Sequence, residues 1–284
     1  MPVDAHRSAP GKGARGNTLR EHLLVPPGSK VRLADIDPNA TYGHTKAGAA
    51  TELQKGLERL TALQDRLWAE SKHPVLIVLQ GIDAAGKDGT VRHVMTAFNP
   101  MGCLVTSWKA PTPVELAHDY LWRIHQRTPA QGEISIFNRS HYEDVLVVRV
   151  HNLVPKDVWS KRYDQINAFE RELVAEGTTI LKFFLWIDRD EQKARLQARL
   201  DDPNKNWKFR VRDLAERKLW DDYVAADEAM LERCSTDAAP WYVIPANRKW
   251  FRNLAVADIV ADAMDELHCE YPPSPDDLTG VVIE

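Results

Sequence analysis

The sequence predicts an α/β protein built on a five-stranded parallel sheet with helices on both faces. Strand-like and helix-like segments alternate about five times along the chain, which is typical of a parallel sheet covered by helices. The clearest strand, at 75–80, reads VLIVLQ. Such an apolar run without polar alternation is expected of a strand that is buried on both faces.

The helices and strands follow from hydrophobic periodicity. Leucines recur at helical spacing from about Ala49 onward and predict one amphipathic helix, which His73-Pro74 ends. The stripe consists of Leu53, Leu57, Leu60, Leu63 and Leu67. After the strand at 75–80 come a glycine loop at 81–89 and a helix to about residue 98.

The remaining elements are predicted in the same way. Strands are expected at 103–108, 133–137, 178–188 and 241–245. Helices are expected at 113–125, 140–150, 155–176, 189–200, 213–235 and 249–268, with a polar stretch at 201–212.

Composition bounds the domain organisation. The chain has 284 residues, of which 44% are hydrophobic and 27% charged, as in ordinary globular proteins. Residues 1–20 are rich in Gly, Pro and charge, and we expect residues 1–45 to form a partly disordered N-terminal extension. One large folded domain is expected at 46–270, and a tail at 271–284.

Charge and cysteine content exclude several classes of protein. With 37 Lys and Arg against 41 Asp and Glu the net charge is −4, which argues against a broad nucleic-acid-binding surface. No apolar run approaches the ~20 residues of a membrane span, and no secretory signal is expected. Cys103, Cys234 and Cys269 lie far apart, outside any metal-ligand spacing, and predict reduced thiols in a cytoplasmic protein.

A phosphate-binding loop follows the first buried strand. The segment GIDAAGKDG has the pattern G-x-x-x-x-G-K between a strand and a helix. Small residues let backbone N–H groups surround a phosphate, the helix N-terminus adds its dipole, and the lysine adds a full charge. The simpler alternative is a glycine turn that only joins strand and helix. The loop residues expected to bind phosphate are Gly81, Ala84, Ala85, Gly86, Lys87, Asp88 and Gly89.

Two carboxylates in this loop are unusual. Asp88 stands where Ser or Thr normally faces Mg²⁺, and it can cap the helix or reach a metal through water. Asp83 lies among the expected phosphates, where only a cation would relieve repulsion. Asp83 is therefore the preferred metal ligand, and it can also orient or deprotonate an attacking phosphate oxygen.

A second polar cluster, NRSHYED at 138–144, follows the strand at 133–137. Ligands of open parallel sheets lie at the carboxyl ends of the strands, so this cluster should meet the glycine loop. Arg139 offers a planar fork for phosphate, and Glu143 and Asp144 can bind metal, ribose or base. Asn138 stands where related enzymes carry an Asp for Mg²⁺. The alternative is a capped helix start with a surface ion pair.

A basic, aromatic segment at 203–220 gives this acidic protein a local positive patch. We expect Lys205, Lys208 and Arg210 to belong to a lid over a polyanion. The alternatives are a nucleic-acid patch and a solvated helix with its aromatic residues, Trp207, Phe209 and Trp220, in the core.

Weaker candidates lie elsewhere. Arg248 and Lys249, with Arg252, follow the last strand and should point toward the same crevice. Lys109 and Thr112 are weak candidates for contact with a nucleotide. The histidines at 118, 125, 141 and 151 show no metal spacing and predict structural roles.

Five segments together resemble the polyphosphate kinase 2 family over roughly residues 40–270. They are GIDAAGKDG, SWKAPTPVELAHDYLWRIH, IFNRSHYEDVLVVRVHNLVP, NWKFRVRDLAERKLWDDY and PWYVIPANRKWFRNL. The resemblance implies a thymidylate-kinase-like three-layer P-loop kinase fold with a helical lid at about 201–225. It also implies reversible phosphoryl transfer between inorganic polyphosphate and nucleotides, with Mg²⁺ (or Mn²⁺), by a homo-oligomer, either a dimer or a tetramer.

The second motif carries the finer expectation. Asn-Arg-Ser-His-Tyr-Glu, as at 138–143, resembles the subgroup that phosphorylates both AMP and ADP to ADP and ATP. The resemblance implies that Asp83, Lys87 and Arg139 are catalytic, and that Asn138, Glu143 and Asp144 shape the nucleotide site. With Asp83, Asp144 is the second expected metal ligand. The rival interpretations are a nucleoside monophosphate kinase that uses ATP and a non-catalytic nucleotide-binding protein.

Overall fold

The computed structural model describes residues 18–283, so the expected disorder of residues 1–17 lies outside the described residues. The strands are β1 Val75–Gln80, β2 Cys103–Ser107, β3 Ile134–Asn138, β4 Thr179–Trp186 and β5 Trp241–Pro245. The helices are α1 Leu19–Leu23, α2 Lys46–Glu70, α3 Lys87–His93, α4 Pro113–Leu116, α5 Trp122–His125, α6 Val147–Val150, α7 Lys156–Trp159, α8 Arg162–Ala175, α9 Arg189–Asp201, α10 Arg212–Lys218, α11 Trp220–Cys234 and α12 Lys249–Asp265. Short 3₁₀ turns lie at Leu33–Asp35, Met95–Ala97, Pro100–Gly102, His141–Asp144 and Asn206–Lys208.

The five strands form one parallel sheet in the order β2-β3-β1-β4-β5. Every residue of β1, β3 and β5 is buried, as their apolar runs predict, whereas the edge strand β2 is mostly exposed. The predicted fold class is therefore confirmed.

Helices cover both faces of the sheet. On one face α12 packs against α2, α3 and β5, and on the other α8 packs against β4 and α11. Neighbouring residues of β4 show this alternation: the Lys182 side chain bonds Glu170 of α8, whereas the Phe183 ring packs against Tyr242, whose hydroxyl meets α1. The leucine stripe of α2 lies against the core as predicted, with Leu60, Leu63 and Leu67 buried.

Several predicted helices are interrupted. The helix predicted at 113–125 is two short helices, because Asp119 forms a turn between them: its side chain accepts a hydrogen bond from the Leu121 amide and its carbonyl accepts one from the Trp122 amide. The helix predicted at 155–176 is α7 and α8, and that at 213–235 breaks at Leu219. The helix predicted at 140–150 is a 3₁₀ turn followed by α6.

The described part of the N-terminal extension packs on the domain. Thr18 and Glu21 form a reciprocal cap on α1, and Leu19, Leu23 and Leu33 are buried. The Val25 amide donates to the carbonyl of Trp241 in β5. No helix among residues 18–283 is both long and apolar enough to cross a membrane.

Candidate active site

The candidate site lies at the end of the sheet that is formed by the carboxyl ends of β1, β3, β4 and β5. The glycine loop follows β1, the second motif follows β3, and α9 and α12 begin just after β4 and β5. Asn138 and Asp88 join the two motifs directly, through a hydrogen bond of 2.8 Å from the amide nitrogen to the carboxylate. The predicted convergence of the glycine loop with residues 138–144 is thus observed.

Two glycines shape the loop because no other residue fits. Gly81 has φ 145°, and a Cβ there would lie 2.6 Å from the Leu185 carbonyl oxygen of β4. Gly86, the N-cap of α3, has φ 112°, and its Cβ would lie 1.8 Å from the Arg252 guanidinium. Side chains disfavour both conformations, so the loop depends on glycine for its path and for the close approach of a cation.

Lys87 lies under the loop and is nearly buried. Its ammonium donates to the carbonyls of Gly81, at 2.6 Å, and Ile82, at 3.3 Å. Burial, with the nearby Arg139 charge, lowers the pKa of Lys87 to about 8. Within residues 18–283 no carboxylate lies within 4.0 Å of this ammonium, so Lys87 is a buried cation without an ionic partner.

The two loop carboxylates face different partners. Asp83 is partly exposed, and its Oδ2 lies 3.5 Å from the Arg199 guanidinium of α9. Asp88 accepts from Asn138, and its carboxylate lies 3.6 Å from the Lys208 ammonium. Although partial burial opposes the change, these partners lower the pKa of Asp88, which is therefore ionised at neutral pH.

Arg195 of α9 holds the loop from behind and was missed in the sequence. Its guanidinium donates to the carbonyls of Ala84 and Ala85, at 3.0 and 2.8 Å, and to those of Ala246 and Asn247, at 2.5 and 3.1 Å. One buried fork thus joins the loop to the end of β5. The available signal was its spacing, since Arg195 and Arg199 lie one turn apart on a helix that starts at this edge.

Arg252 of α12 lies directly beneath Gly86 and Gly89. Arg252 is 2% exposed, and its guanidinium donates two hydrogen bonds to the side-chain oxygen Oδ1 of the neighbouring Asn253. Burial, with Arg195 close by, lowers the pKa of Arg252 to about 10. No carboxylate among the described residues pairs with it, so the loop lies on a second unneutralised cation.

The second motif is fixed by hydrogen bonds from β1. Gln80 donates to the Ser140 hydroxyl at 3.1 Å and to Glu143 at 3.2 Å. Arg139 takes a left-handed backbone conformation, φ 64°, and its guanidinium lies 3.4 Å from Glu143. The Glu143 charge raises the pKa of Arg139, so this guanidinium stays charged in the cleft.

Behind this motif lies a fully buried polar cluster, defined here as the Lys182 cluster: Lys182, Glu170, Tyr142 and His141. The Lys182 ammonium donates to Glu170 at 2.6 Å, to the Tyr142 hydroxyl at 2.7 Å and to the Cys234 carbonyl. Tyr142 and His141 contact the other Glu170 oxygen, at 2.7 and 3.1 Å. The cluster anchors the turn that carries Arg139 and Glu143, and gives His141 a structural environment.

Asp144 and Lys109 contact arginines outside the glycine loop and the second motif. The Asp144 carboxylate is paired with Arg162 at 2.7 Å, and burial raises its pKa to about 6. The carbonyl of Lys109 accepts from Arg123, whose guanidinium covers the Trp108 ring. The structure therefore joins Asp144 to α8 rather than to the glycine loop.

The basic segment at 203–220 approaches the glycine loop through one side chain. Lys208 reaches Asp88 of the loop, whereas Lys205 pairs with Asp202 and the Arg210 backbone amide donates to Asp213. The alternative that placed Trp207 in the core is wrong, because this side chain is 66% exposed and lies beneath the Lys208 ammonium. Trp220 is buried as that alternative expected.

The two basic residues that follow β5, Arg248 and Lys249, have different partners. The pKa of Lys249 is lowered by partial burial and by the nearby Arg195 charge. The Arg248 guanidinium instead donates to the Asn39 carbonyl of the N-terminal segment. The two basic residues therefore have different surroundings.

One buried carboxyl was also missed. Asp227 of α11 is 2% exposed, and its Oδ2 has no hydrogen-bond partner among the described residues. Burial and the nearby Glu143 charge raise its pKa well above the ordinary value, and only the Lys87 and Arg149 charges oppose this. Its sequence context, in a helix rich in acidic residues, gave no signal of burial.

A family model and two similar proteins all carry names that refer to polyphosphate. The family model described as polyphosphate kinase 2 matches residues 44–272. A Meiothermus ruber protein named AMP/ADP-polyphosphate phosphotransferase is 53% identical over 92% of this chain and 98% of its own length. A Rhodopseudomonas palustris protein named ADP-polyphosphate phosphotransferase is 47% identical over 89% of this chain and 92% of its own.

A solved structure has the same fold. The crystal structure of polyphosphate kinase 2 from Arthrobacter aurescens TC1 superposes with a TM-score of 0.88 and 44% identity. The match covers 96% of this chain and 97% of that one. The similarity therefore extends beyond the glycine loop to nearly the whole fold.

Proposed function

The chain belongs to the polyphosphate kinase 2 family, and we propose that it transfers terminal phosphoryl groups from inorganic polyphosphate to AMP and ADP, reversibly, to make ADP and ATP. One observation carries this proposal most strongly. Lys87 and Arg252 are buried around the glycine loop with carbonyl and amide partners but no carboxylate. Buried cations of this kind need an anion, and phosphate supplies it.

We assign one phosphate group to the loop itself. Backbone N–H groups of Ala84, Ala85 and Gly86 would surround it, together with the start of α3. The Lys87 ammonium would exchange its bonds to the Gly81 and Ile82 carbonyls for phosphate oxygens. Arg195 contacts only carbonyls and Glu191, so its role in this proposal is to hold the loop in place.

We assign the polyphosphate chain to the cationic wall made by Arg199, Lys208 and Lys249. These three side chains approach the loop from three different segments, so they can contact successive phosphates of an extended polyanion. Lys205 and Arg210 lie farther along the same exposed segment, and we keep them as outer contacts. Arg248 is the least supported of the expected contacts because it faces the N-terminal segment.

We assign the acceptor nucleotide to the second motif. Arg139 would bind its phosphate, while Asn138 and Glu143 shape the surrounding surface. Asp144 would act indirectly, since its carboxylate is committed to Arg162. Lys109 remains a candidate for contact with the nucleotide at the end of β2.

We propose Mg²⁺ (or Mn²⁺) as the cofactor and Asp83 as the residue that would hold it. The partly exposed Asp83 carboxylate at the mouth of the loop offers the hard oxygen ligand that these ions prefer. When bound, such an ion neutralises charge that accumulates on the transferring phosphoryl group. Asp144 does not fit as a direct ligand, because Arg162 occupies its oxygen at 2.7 Å.

In this scheme the side chains of the chain act mainly by position and charge. Lys87 after β1 and Arg139 after β3 would each place a positive charge beside the reacting phosphates, so two anions that repel each other could be held in line. Lys208, bonded to Asp88 of the loop, would move with the exposed segment and close the cleft from water. Asp83 can orient the attacking phosphate oxygen.

The donor separates this function from its rivals. Purified protein with Mg²⁺ and AMP is given either polyphosphate or ATP, and nucleotides are followed by chromatography. Product with polyphosphate alone supports the proposal. Faster ADP formation with ATP would favour a nucleoside monophosphate kinase, and nucleotide binding without turnover would favour a non-catalytic protein.

We further propose a homo-oligomer, a dimer or a tetramer, in a reducing compartment such as the cytoplasm. The exposed edge strand β2 carries Leu104 and Val105, and Met101 beside it is 75% exposed. An apolar sheet edge favours association with a second copy. The three cysteines are free thiols, which suits a reducing environment. Light scattering after size-exclusion chromatography measures the oligomeric state directly.

A further inference from the structure

Three side chains of types that can bind metals meet at the amino end of β1, at the opposite end of the sheet from the phosphate loop. They are Glu70 at the end of α2, His73 just before β1 and Cys269 just after α12, and their ligand atoms all lie within 4.8 Å of one another. Cys269 has no metal-ligand spacing in the sequence, and the fold brings it beside Glu70 and His73. Spacing along the chain could not show the cluster, because Cys269 is far from the other two residues in sequence.

The backbone builds this cluster through two left-handed residues. Ser71, with φ 56°, ends α2 and turns the chain so that His73 comes beside Glu70. His268, with φ 51°, follows α12 and leads directly into the buried Cys269. Side chains disfavour this conformation, so both turns are held by the surrounding structure.

The two oxygens of Glu70 have different environments. Oε1 accepts from the exposed Lys72 ammonium at 2.9 Å. Oε2 is shielded from solvent and lies 3.7 Å from His73 Nε2, and the Cys269 thiol hydrogen-bonds the Glu70 carboxylate. A thiol is a weak donor for a carboxylate oxygen that is shielded from water, and a cation between the three ligand atoms would satisfy that oxygen better.

The position also favours a cation. The helices α2 and α12 pack side by side and run parallel. Gly56 lies against Ala257, and Arg59, one turn later in α2, pairs with Asp262 and Asp265, which lie later in α12. The carboxyl ends of both helices therefore meet near Glu70 and Cys269, and the negative ends of their dipoles add.

We propose that Glu70, His73 and Cys269 bind one zinc-class divalent cation, with water as the fourth ligand. Thiolate, imidazole and carboxylate together are a zinc-type ligand set, whereas Mg²⁺ prefers oxygen alone. Zinc bonds of about 2.0–2.3 Å at tetrahedral angles separate ligand atoms by roughly 3.3–3.6 Å, so the present spacing needs only small side-chain shifts. On binding, the Cys269 thiol releases its proton to solvent and the thiolate bonds the metal.

The site is structural rather than catalytic. β1 runs its full length between His73 and the phosphate loop, so the metal is at the far end of the sheet from phosphoryl transfer. It would join the end of α2, the start of β1 and the segment after α12. The proposal therefore does not depend on the proposed function.

Cobalt is the probe, because a cobalt–thiolate bond gives a charge-transfer absorption band that oxygen ligands do not. The full-length protein is treated with chelator, dialysed and titrated with Co²⁺. We expect one sulfur-bound cobalt per chain, displaced by Zn²⁺. Cobalt at the phosphate site has no sulfur ligand and does not give the band.

Variants identify the ligands. Cys269→Ser should abolish the band, and Glu70→Gln should weaken cobalt binding at least tenfold, while Cys103→Ser, a half-buried cysteine elsewhere, should leave both unchanged. Phosphotransferase activity should be retained in Cys269→Ser. Absence of the band in the wild type, or its persistence in Cys269→Ser, would overturn the proposal.

A measurement on the wild type covers the case in which Cys269→Ser does not fold. Zn²⁺ should slow maleimide labelling of Cys269 at least tenfold, as read by peptide mass spectrometry, and should leave labelling of Cys103 unchanged. Equal labelling of Cys269 with and without Zn²⁺ would also overturn the proposal.

Discussion

Replacing Lys182 by Met tests how the buried cluster behind the second motif holds the fold together. The Lys182 ammonium is fully buried and makes three hydrogen bonds, to Glu170, Tyr142 and the Cys234 carbonyl. Met fills much of the same volume but carries no charge. Glu170, which is 1% exposed, then keeps only the Tyr142 hydroxyl and His141 as partners.

The expected cost is large because a buried charge loses its counter-ion. Removing one member of a buried ion pair typically costs about 3–5 kcal/mol, whereas removing both charges costs much less. Lys182→Met should therefore lower the free energy of unfolding by about 3–5 kcal/mol. The double variant Lys182→Met/Glu170→Gln should recover about 1–2 kcal/mol of that loss, since contacting residues couple by 0.5–3 kcal/mol.

The pH dependence has a defined sign. In Lys182→Met the isolated Glu170 carboxyl acquires a folded-state pKa above its unfolded value of about 4.3. The folded chain then binds the extra proton, so stability rises as pH falls from about 7 toward 5 and the defect shrinks.

Urea unfolding followed by tryptophan fluorescence measures each variant. Lys55→Met, at an exposed position of α2, is the matched control and should change stability by less than about 0.5 kcal/mol. A Lys182→Met variant within that range, or a double variant no more stable than the single one, would refute the assignment of Lys182 as the counter-ion of Glu170.

Three further predictions concern the phosphate loop. Lys87→Ala and Asp83→Ala should each lower phosphoryl transfer at least 10²- to 10³-fold with unchanged circular dichroism, because one preorganised contact is worth about 3–4 kcal/mol in the transition state; an Asp83→Ala enzyme as active as the wild type would contradict the role of that carboxylate. Gly86→Ala should lower kcat/KM for polyphosphate about 10²-fold, since φ 112° strains any other residue and its Cβ would lie 1.8 Å from the Arg252 guanidinium, so either the loop or this cation must move; wild-type kinetics would refute this. Tripolyphosphate affinity, measured by calorimetry, should be constant below pH 8 and fall up to tenfold per pH unit above it, because Lys87, with a pKa of about 8, must be protonated to bind the anion; Lys87→Met should lose this decline.

The sheet could be predicted because its signals are local. Each buried strand is an apolar run, and the leucine stripe of α2 has helical spacing, so element type follows from neighbouring residues. Helix interruptions were missed because they depend on single turn-forming residues such as Asp119. That side chain could equally have faced solvent within one longer helix.

The loop and the second motif could be predicted because glycine, lysine and arginine have few other uses in that arrangement. The spacing of Arg195 and Arg199 on α9 could have marked Arg195 as a candidate, but its role could not be predicted because its partners are backbone carbonyls of two distant segments. In the sequence Lys182 is one residue within an apolar strand, and only the fold shows that Glu170 of α8 neutralises its charge.

The structure separates basic residues that the sequence had grouped together. Lys208 lies 3.6 Å from Asp88 of the loop, whereas Arg248 faces the N-terminal segment. Residues adjacent in sequence at a helix start point in different directions, so the paired positions Arg248 and Lys249 could not be told apart before the structure.

Phosphoryl transfer from polyphosphate to AMP without ATP tests the central claim most directly. Protein, Mg²⁺, polyphosphate and AMP are mixed, and AMP, ADP and ATP are quantified over time beside a Lys87→Ala control. The account predicts that ADP forms first and ATP follows, with no product in the control. AMP that stays unchanged, or ADP that never proceeds to ATP, would contradict the proposed transfer to both acceptors.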